Sequence, residues 1–196
     1  MGEFDGGSGP VTCTAGFSGT LFNDTTEAWG LGKTGLKVVG TKMSVADLDN
    51  DGYPDLVVHA AAPNIRETIG TGAKQVWQLM NRPNPNGPGR VFVDATGNGL
   101  FQVRGGSASQ YRSAQLTVFG DVDNDGDLDA FSGTNVDPTH IETDTGDRSE
   151  IAINDGTGHF TLAAPTDTRP TATDYWPTSA ASFTDYDRDG KLDAFV

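Results

Sequence analysis

Short apolar runs, rich in β-branched and aromatic residues, alternate along the chain with polar stretches rich in glycine, aspartate and proline. Runs of this composition predict β-strands, because such side chains pack well on a pleated surface. The polar stretches predict turns, and Asn154-Asp-Gly-Thr-Gly158 has the composition of a hairpin turn. The predicted strands lie at 37–39, 43–46, 56–59, 75–80, 91–93, 116–119, 128–131, 150–153, 159–160, 181–183 and 192–196, with an aromatic strand around Phe22.

The predicted strands repeat as a unit. Each unit has two strands joined by an acidic loop, then a third strand, then an aromatic strand. The aromatic strands centre on Phe22, Phe92 and Phe160, each at a similar distance before the next acidic loop. Self-similarity on this scale is typical of repeat proteins. Because four-stranded antiparallel sheets repeated around an axis are propeller blades, the predicted fold class is all-β, built from β-propeller blades.

The acidic loops share one nine-residue pattern, Asp-x-Asp-x-Asp-Gly-x-x-Asp, at 47–55, 121–129 and 185–193. Carboxylates at positions 1, 3 and 5 can converge on one hard cation, and the glycine at position 6 allows a sharp turn. Position 7 offers a backbone carbonyl and position 9 a further carboxylate. Ca²⁺ prefers six to eight oxygens. The predicted ligands are Asp47, Asp49, Asp51, Tyr53 and Asp55; Asp121, Asp123, Asp125, Asp127 and Asp129; Asp185, Asp187, Asp189, Lys191 and Asp193.

An EF-hand begins with the same pattern and is the obvious alternative. It needs a bidentate glutamate at position 12 and helices on both sides. Position 12 is occupied by Val58, Ser132 and Val196, and the flanking runs have strand composition. The loops are therefore predicted to join strands.

The formal net charge of −14 concentrates in these loops, which hold 13 of the 27 acidic residues. This charge argues against nucleic acid as a partner and against docking on anionic lipid. Without metal, each loop would crowd four or five like charges together, so about three structural Ca²⁺ ions are expected, with folding coupled to their binding.

The chain is predicted to consist of a short N-terminal segment and one repeat domain. Residues 1–20 are expected to be a flexible lead-in, native or added, and residues 21–196 to form the repeats. The single cysteine, Cys13, excludes an intrachain disulfide. No stretch has the apolar length of a membrane span, so membrane insertion is not expected.

The loop pattern between strands resembles the FG-GAP (VCBS-type) repeat. Phe119-Gly120 precedes the second loop as in that family, whereas Val45-Ala46 and Phe183-Thr184 stand before the other two. The resemblance implies an integrin-α-like β-propeller, commonly seven-bladed, with Ca²⁺ in the blade hairpins and a secreted or cell-surface location. Three loops then imply a partial propeller or a fragment, which would pair with the remainder of a longer propeller or with another copy.

Catalytic motifs are scarce. His59, His140 and His159 have no zinc-type spacing, and there is no Gly-x-Ser-x-Gly elbow. The sequence therefore favours a non-enzymatic module that mediates adhesion by binding a protein or glycan. The alternative is the propeller domain of a secreted carbohydrate-active enzyme, a polysaccharide lyase or hydrolase. Long insertions predict the ligand-binding residues, of which the candidates are Arg169, Asp174, Tyr175 and Trp176.

Overall fold

A computed structural model describes residues 22–59, 76–105, 111–112, 114–134, 149–165 and 178–196. Within these ranges, the structure has one short 3₁₀ turn, Thr96–Asn98, and ten strands. The chain is all-β, as predicted. The strands are β1 (Lys42–Ala46), β2 (Asp55–His59), β3 (Val76–Pro83), β4 (Arg90–Asp94), β5 (Leu116–Gly120), β6 (Asp129–Gly133), β7 (Glu150–Asn154), β8 (Phe160–Leu162), β9 (Ser182–Thr184) and β10 (Asp193–Phe195).

The strands form two complete antiparallel sheets and one hairpin. Strands β1 to β4 make the first sheet and β5 to β8 the second, each in sequential order, while β9 and β10 pair alone. Each complete sheet therefore has the meander order of a propeller blade. The third hairpin repeats the first two strands of such a blade.

Strand β3 carries apolar side chains on both of its faces. Val76 and Met80 face one core cluster, and Trp77 and Leu79 face another on the opposite side of the sheet. A strand that is covered on both faces does not need polar alternation. The first sheet is thus an inner layer, in contact with the second sheet on one face and with the segment before β1 on the other.

The main core lies between the two complete sheets. It combines Val57, Val76 and Met80 of the first sheet with Ala130 and Ala152 of the second. The small alanines leave room for Leu100 and Phe101, which are fully buried in the connection between the sheets. Burying a leucine or phenylalanine side chain contributes about 1.5–3 kcal/mol, so this connection is an integral part of the core.

A matching connection precedes the first sheet. Thr26 donates its backbone N–H to Asp24 Oδ1, and Thr96 donates to Asp94 Oδ1, both at 3.0 Å. The outer apolar cluster of the first sheet also includes three residues of this connection, Leu31, Leu36 and Val38. The ring of Trp29 lies 5.4 Å from that of Phe92. Both connections therefore begin with the same turn, in which an aspartate accepts the N–H of a threonine two residues later.

Two predicted strands in this first connection are wrong. Residues 22–25 and 37–39 have no strand structure. Phe22 is 87% exposed and has no sheet beside it in the described residues, whereas Phe92 and Phe160 are buried. Lys37 adopts φ 57°, a left-handed conformation that interrupts an extended chain.

Two arginines fasten the second connection to the second sheet. Arg104 forms a bidentate ion pair with the buried Glu150, at 3.0 and 2.8 Å, and also donates to Ala163 O at 2.6 Å. Arg112, 1% exposed, donates to the carbonyls of Leu100 and Ser132, both at 3.3 Å. Buried cations need such partners, because leaving a charge unpaired in the interior costs several kcal/mol.

His59 ties the end of β2 to the start of the second sheet. Its Nδ1 lies 2.8 Å from Ala114 O and its Nε2 lies 3.1 Å from Thr117 Oγ1. Because a carbonyl can only accept, Nδ1 carries the proton and Nε2 accepts from the threonine hydroxyl. The ring is 1% exposed and meets Phe101 edge-on. Burial, partly offset by the bond to Ala114, lowers the pKa of His59 from 6.5 to about 4.

We predict that His59 makes the fold acid-sensitive. The unfolded chain takes up this proton near pH 6.5, whereas the folded chain does so only near pH 4. The free energy of unfolding should therefore fall as the pH drops through this window, by on the order of 3 kcal/mol in total. Urea denaturation at a series of pH values measures the slope.

The variant His59→Gln supplies the control, because glutamine retains a donor and an acceptor without titrating in this range. Carboxylates shared by both proteins contribute equally, so the difference between the two pH profiles isolates His59. Parallel profiles for the two proteins would contradict the prediction.

Candidate metal centres

The three acidic loops occupy the same place in each repeat. Each joins the first strand of its sheet to the second, and its ninth residue begins the second strand. The residue pairs that close the loops are Ala46 with Asp55, Gly120 with Asp129 and Thr184 with Asp193. The flanking strands confirm the choice of strand hairpins over helical EF-hands.

The loops also share a backbone conformation. Glycine occupies position 6 with φ of 83°, 97° and 86° in Gly52, Gly126 and Gly190. Position 4 is left-handed as well, with φ of 55°, 62° and 63° in Asn50, Asn124 and Arg188. Asparagine tolerates this region better than other non-glycine residues, which explains its presence in two loops. The sequence pattern signalled position 6 but not position 4.

The first carboxylate of each loop holds the turn together. Asp121 accepts the backbone N–H groups of Asp125 and Gly126 on its two oxygens, both at 3.0 Å. Asp47 and Asp185 make the same pair of bonds in the other loops. The carboxylate at position 1 therefore stabilises the turn, and its remaining lone pairs are still available to a cation.

Carboxylates at positions 1, 3 and 9 converge in every loop. One oxygen from each lies within 4.8 Å of the others, in the groups Asp47, Asp49 and Asp55; Asp121, Asp123 and Asp129; Asp185, Asp187 and Asp193. The position-5 aspartates are not members of these groups. Their side chains instead accept the N–H of position 7, as Asp125 does from Asp127 at 3.0 Å. Ligation by position 5 and by the position-7 carbonyls stays a prediction.

Position 9 is buried in the two complete sheets. Asp55 and Asp129 are both 0% exposed, whereas Asp193 in the third hairpin is exposed. Burial raises the pKa of Asp55 and of Asp129, although each accepts two backbone N–H bonds that act in the opposite direction. Holding these groups ionised is therefore unfavourable unless positive charge lies beside them.

The hydrogen bonding of one oxygen of Asp49 is independent evidence on whether the first loop can hold a cation. Its Oδ1 is buried and has no hydrogen-bond partner among the described residues. A buried carboxylate oxygen without a partner costs free energy, so the loop geometry favours an acceptor-binding group at this point. Hard oxygen donors from aspartates match Ca²⁺ better than softer metals, which prefer nitrogen or sulfur.

Neighbouring loops contact one another. Asn50 Nδ2 donates to Asp127 Oδ1 at 2.6 Å, from the first loop to the second. The turn between β7 and β8 lies against the same side chain, since a Cβ added to Gly156 would lie 2.4 Å from Asp127 Oδ2. The side chain of Asp127 is thus directed to neighbouring segments.

The Phe-Gly pair before the second loop has a packing explanation. A Cβ at Gly120 would lie 2.9 Å from side-chain atoms of Phe183 and of Leu192. The third hairpin therefore approaches β5 closely because this residue has no side chain.

Repeated blade-like sheets with an acidic hairpin in each define a β-propeller-like repeat module. Two protein-family models match this chain, one described as an FG-GAP-like repeat over residues 121–196 and one as an FG-GAP repeat over residues 39–77. The chain belongs to the FG-GAP repeat family. No curated protein and no solved structure matches it.

Other predicted functional residues lie elsewhere. Arg169, Asp174, Tyr175 and Trp176 fall outside the described residues, as does His140. His159 is exposed at the β7–β8 turn, where Thr157 Oγ1 lies 3.0 Å from its Nδ1. Within the described residues, no helix has the length and apolar character that crossing a bilayer requires.

We predict that the buried position-9 carboxylate stabilises the fold independently of metal. Asp129 accepts the N–H of Val122 at 2.9 Å and of Asn154 at 2.8 Å. Asp129→Ala leaves both donors without an acceptor and should lower the free energy of unfolding by about 3 kcal/mol. Urea denaturation in EDTA, followed by circular dichroism, measures this.

Two matched variants serve as controls. Asp129→Asn keeps one carbonyl acceptor and should fall between alanine and wild type. Asp193→Ala should cost less, because Asp193 is exposed and accepts from Tyr186 N in a hairpin. Equal losses for Asp129→Ala and Asp193→Ala would contradict a role that depends on burial.

Proposed function

We propose that this chain is a calcium-stabilised, extracellular β-propeller module, with one Ca²⁺ in each acidic loop and about three in total. The observation that carries the proposal is the convergence of three carboxylates in each of three loops of identical spacing and backbone conformation. FG-GAP repeats are typical of extracellular proteins, where free calcium is abundant enough to occupy such sites.

When bound, calcium would supply positive charge beside the carboxylates and accept six to eight oxygen ligands in a flexible geometry. The carboxylates at positions 1, 3 and 9 hold it, with position 5 and the carbonyl of position 7 as the further ligands that the pattern predicts. Position 9 gives the ion its structural effect, because the same side chain accepts N–H bonds from the loop and from the third strand. Asp55, for example, accepts from Leu48 N at 2.9 Å and from Asn81 N at 2.7 Å.

The module is proposed to bind a protein or glycan ligand and so to mediate adhesion. The support is a rigid scaffold of sheets whose strands are joined by long insertions, since binding residues are concentrated on loops that a scaffold positions. The aspartates of the acidic loops are used for turn bonds and proposed metal coordination. The ligand contacts are therefore assigned to the insertions, with Arg169, Asp174, Tyr175 and Trp176 as candidates.

We predict that removing calcium lowers the thermal stability. A single ion present at a hundredfold excess over its Kd contributes about 2.7 kcal/mol, which corresponds to about 5–10 °C in Tm for a chain of this size. Melting curves in EDTA, in EDTA followed by excess Ca²⁺, and in Mg²⁺ at matched ionic strength measure the effect. The same Tm in EDTA and in Ca²⁺ would contradict the metal part of the proposal.

We predict that ligand binding depends on the aromatic pair of the last insertion. On panels of glycans and extracellular-matrix proteins, Tyr175→Ala and Trp176→Ala should each weaken binding by about tenfold, because aromatic side chains dominate such contacts. Phe22→Ala is the matched control, since Phe22 is an exposed aromatic outside the insertions. Binding that survives both substitutions would assign the ligand site to another surface.

A further inference from the structure

The first acidic loop differs from the others because two arginines contact it. Arg82 Nη2 lies 2.7 Å from Asp49 Oδ2, and Arg82 Nη1 lies 3.7 Å from Asp51 Oδ2. Arg90 Nη2 lies 2.8 Å from the same Asp51 oxygen. Among the described residues, no ion pair joins a lysine or arginine to a carboxylate of the second or third loop.

Both guanidinium groups are held in place by contacts with the sheet. Arg90 donates from Nε to Asn81 Oδ1 and from Nη2 to Asn81 O, both at 2.7 Å, and it covers the ring of Tyr53 at 3.5 Å. Arg82 donates to Asn81 O at 3.1 Å. Asp49 is 13% exposed and Arg82 34%, so the pair is partly shielded from water. A partly buried, pre-positioned pair is stronger than a mobile surface pair.

The second loop provides an internal comparison through Asn81 and Asn154. Each donates its backbone N–H to the position-9 aspartate and its side-chain amide to the carbonyl of position 8. These residues are therefore equivalent. The residue that follows is Arg82 in the first sheet and Asp155 in the second, so the charge at this equivalent position is reversed.

The two carboxylate oxygens of Asp49 lie in different environments. Oδ2 faces Arg82, whereas Oδ1 is buried without a hydrogen-bond partner among the described residues. Asp49 as a residue belongs to the group that converges with Asp47 and Asp55. A cation bound at this group would share a carboxylate with a guanidinium group. Two positive charges on one carboxylate repel each other, and the repulsion is weakly screened where water is partly excluded.

We propose that Arg82 is a built-in counter-ion of the first loop that competes with the divalent cation for Asp49. The first loop consequently keeps its shape without an ion and binds Ca²⁺ more weakly than the second loop, which contains a fifth aspartate, Asp127, and forms no ion pair with an arginine in the described residues. This inference rests on the proposed calcium function. It assigns the sites an order of filling, with the second loop before the first.

Calorimetric titration of the full chain with Ca²⁺ tests the order. Asp123→Asn, in the second loop, should abolish a tighter binding step of the wild type than Asp49→Asn does. The step that is lost in Asp49→Asn is assigned to the first loop. Arg82→Gln should tighten the same step by about tenfold and lower the Tm in EDTA, because four carboxylates then lose a counter-ion. An unchanged step in Arg82→Gln would overturn the inference.

A reciprocal substitution keeps the test decisive if Arg82→Gln does not fold. Asp155→Arg places a guanidinium beside the second loop and should weaken its step by about tenfold relative to Asp155→Asn. The asparagine variant is the matched control, because it removes the charge while retaining an acceptor for the turn bonds to Thr157. Equal affinities for these two variants would overturn the inference.

The outcomes separate this inference from the proposed function. A wild-type chain that binds no Ca²⁺ at any loop would refute both. A wild-type chain that binds Ca²⁺, but whose affinities are indifferent to charge at positions 82 and 155, would refute only the role of Arg82. Terbium luminescence excited through nearby aromatic side chains gives a second readout of the same steps.

Discussion

The position-9 carboxylate is the constraint on which each complete sheet depends. It begins the second strand, accepts an N–H from the acidic loop and accepts another from the third strand, so three segments meet on one side chain. Its burial is unfavourable for a charged group, and burial raises the pKa of both Asp55 and Asp129. Under the proposed calcium binding, the other aspartates of the loop belong to a site in which a cation would compensate this buried charge.

The contact between the two complete sheets depends on apolar packing and on buried polar side chains. Leu100 and Phe101 fill the space that the alanines of the second sheet leave, and the buried His59 and Arg112 satisfy carbonyl groups where strands do not. Apolar burial supplies the attraction between sheets, and the buried polar groups fix their alignment. The hydrogen-bonded acidic loops and the core between the sheets are thus separate sources of stability within the same repeat.

Much of this arrangement could be predicted from sequence. Residues 76–80 of strand β3 are predictable as a strand because their branched and aromatic composition agrees with burial on both faces. Phe22 misled the prediction, since an aromatic residue forms a strand only where a neighbouring strand accepts its hydrogen bonds. Arg82, Arg90 and His59 were not identifiable as site or interface residues, because their partners are distant in sequence and come together only through strand register.

The hydrogen bond from Asn50 to Asp127 links two loops that belong to different sheets. Its donor lies at the left-handed fourth position of one loop and its acceptor at the seventh position of the next. Any event that orders one loop therefore changes the freedom of the other, and thermodynamics requires the effect to be equal in both directions. Asn50 and Asp127 thus provide a direct contact through which the first and second loops can be coupled without any movement of the sheets.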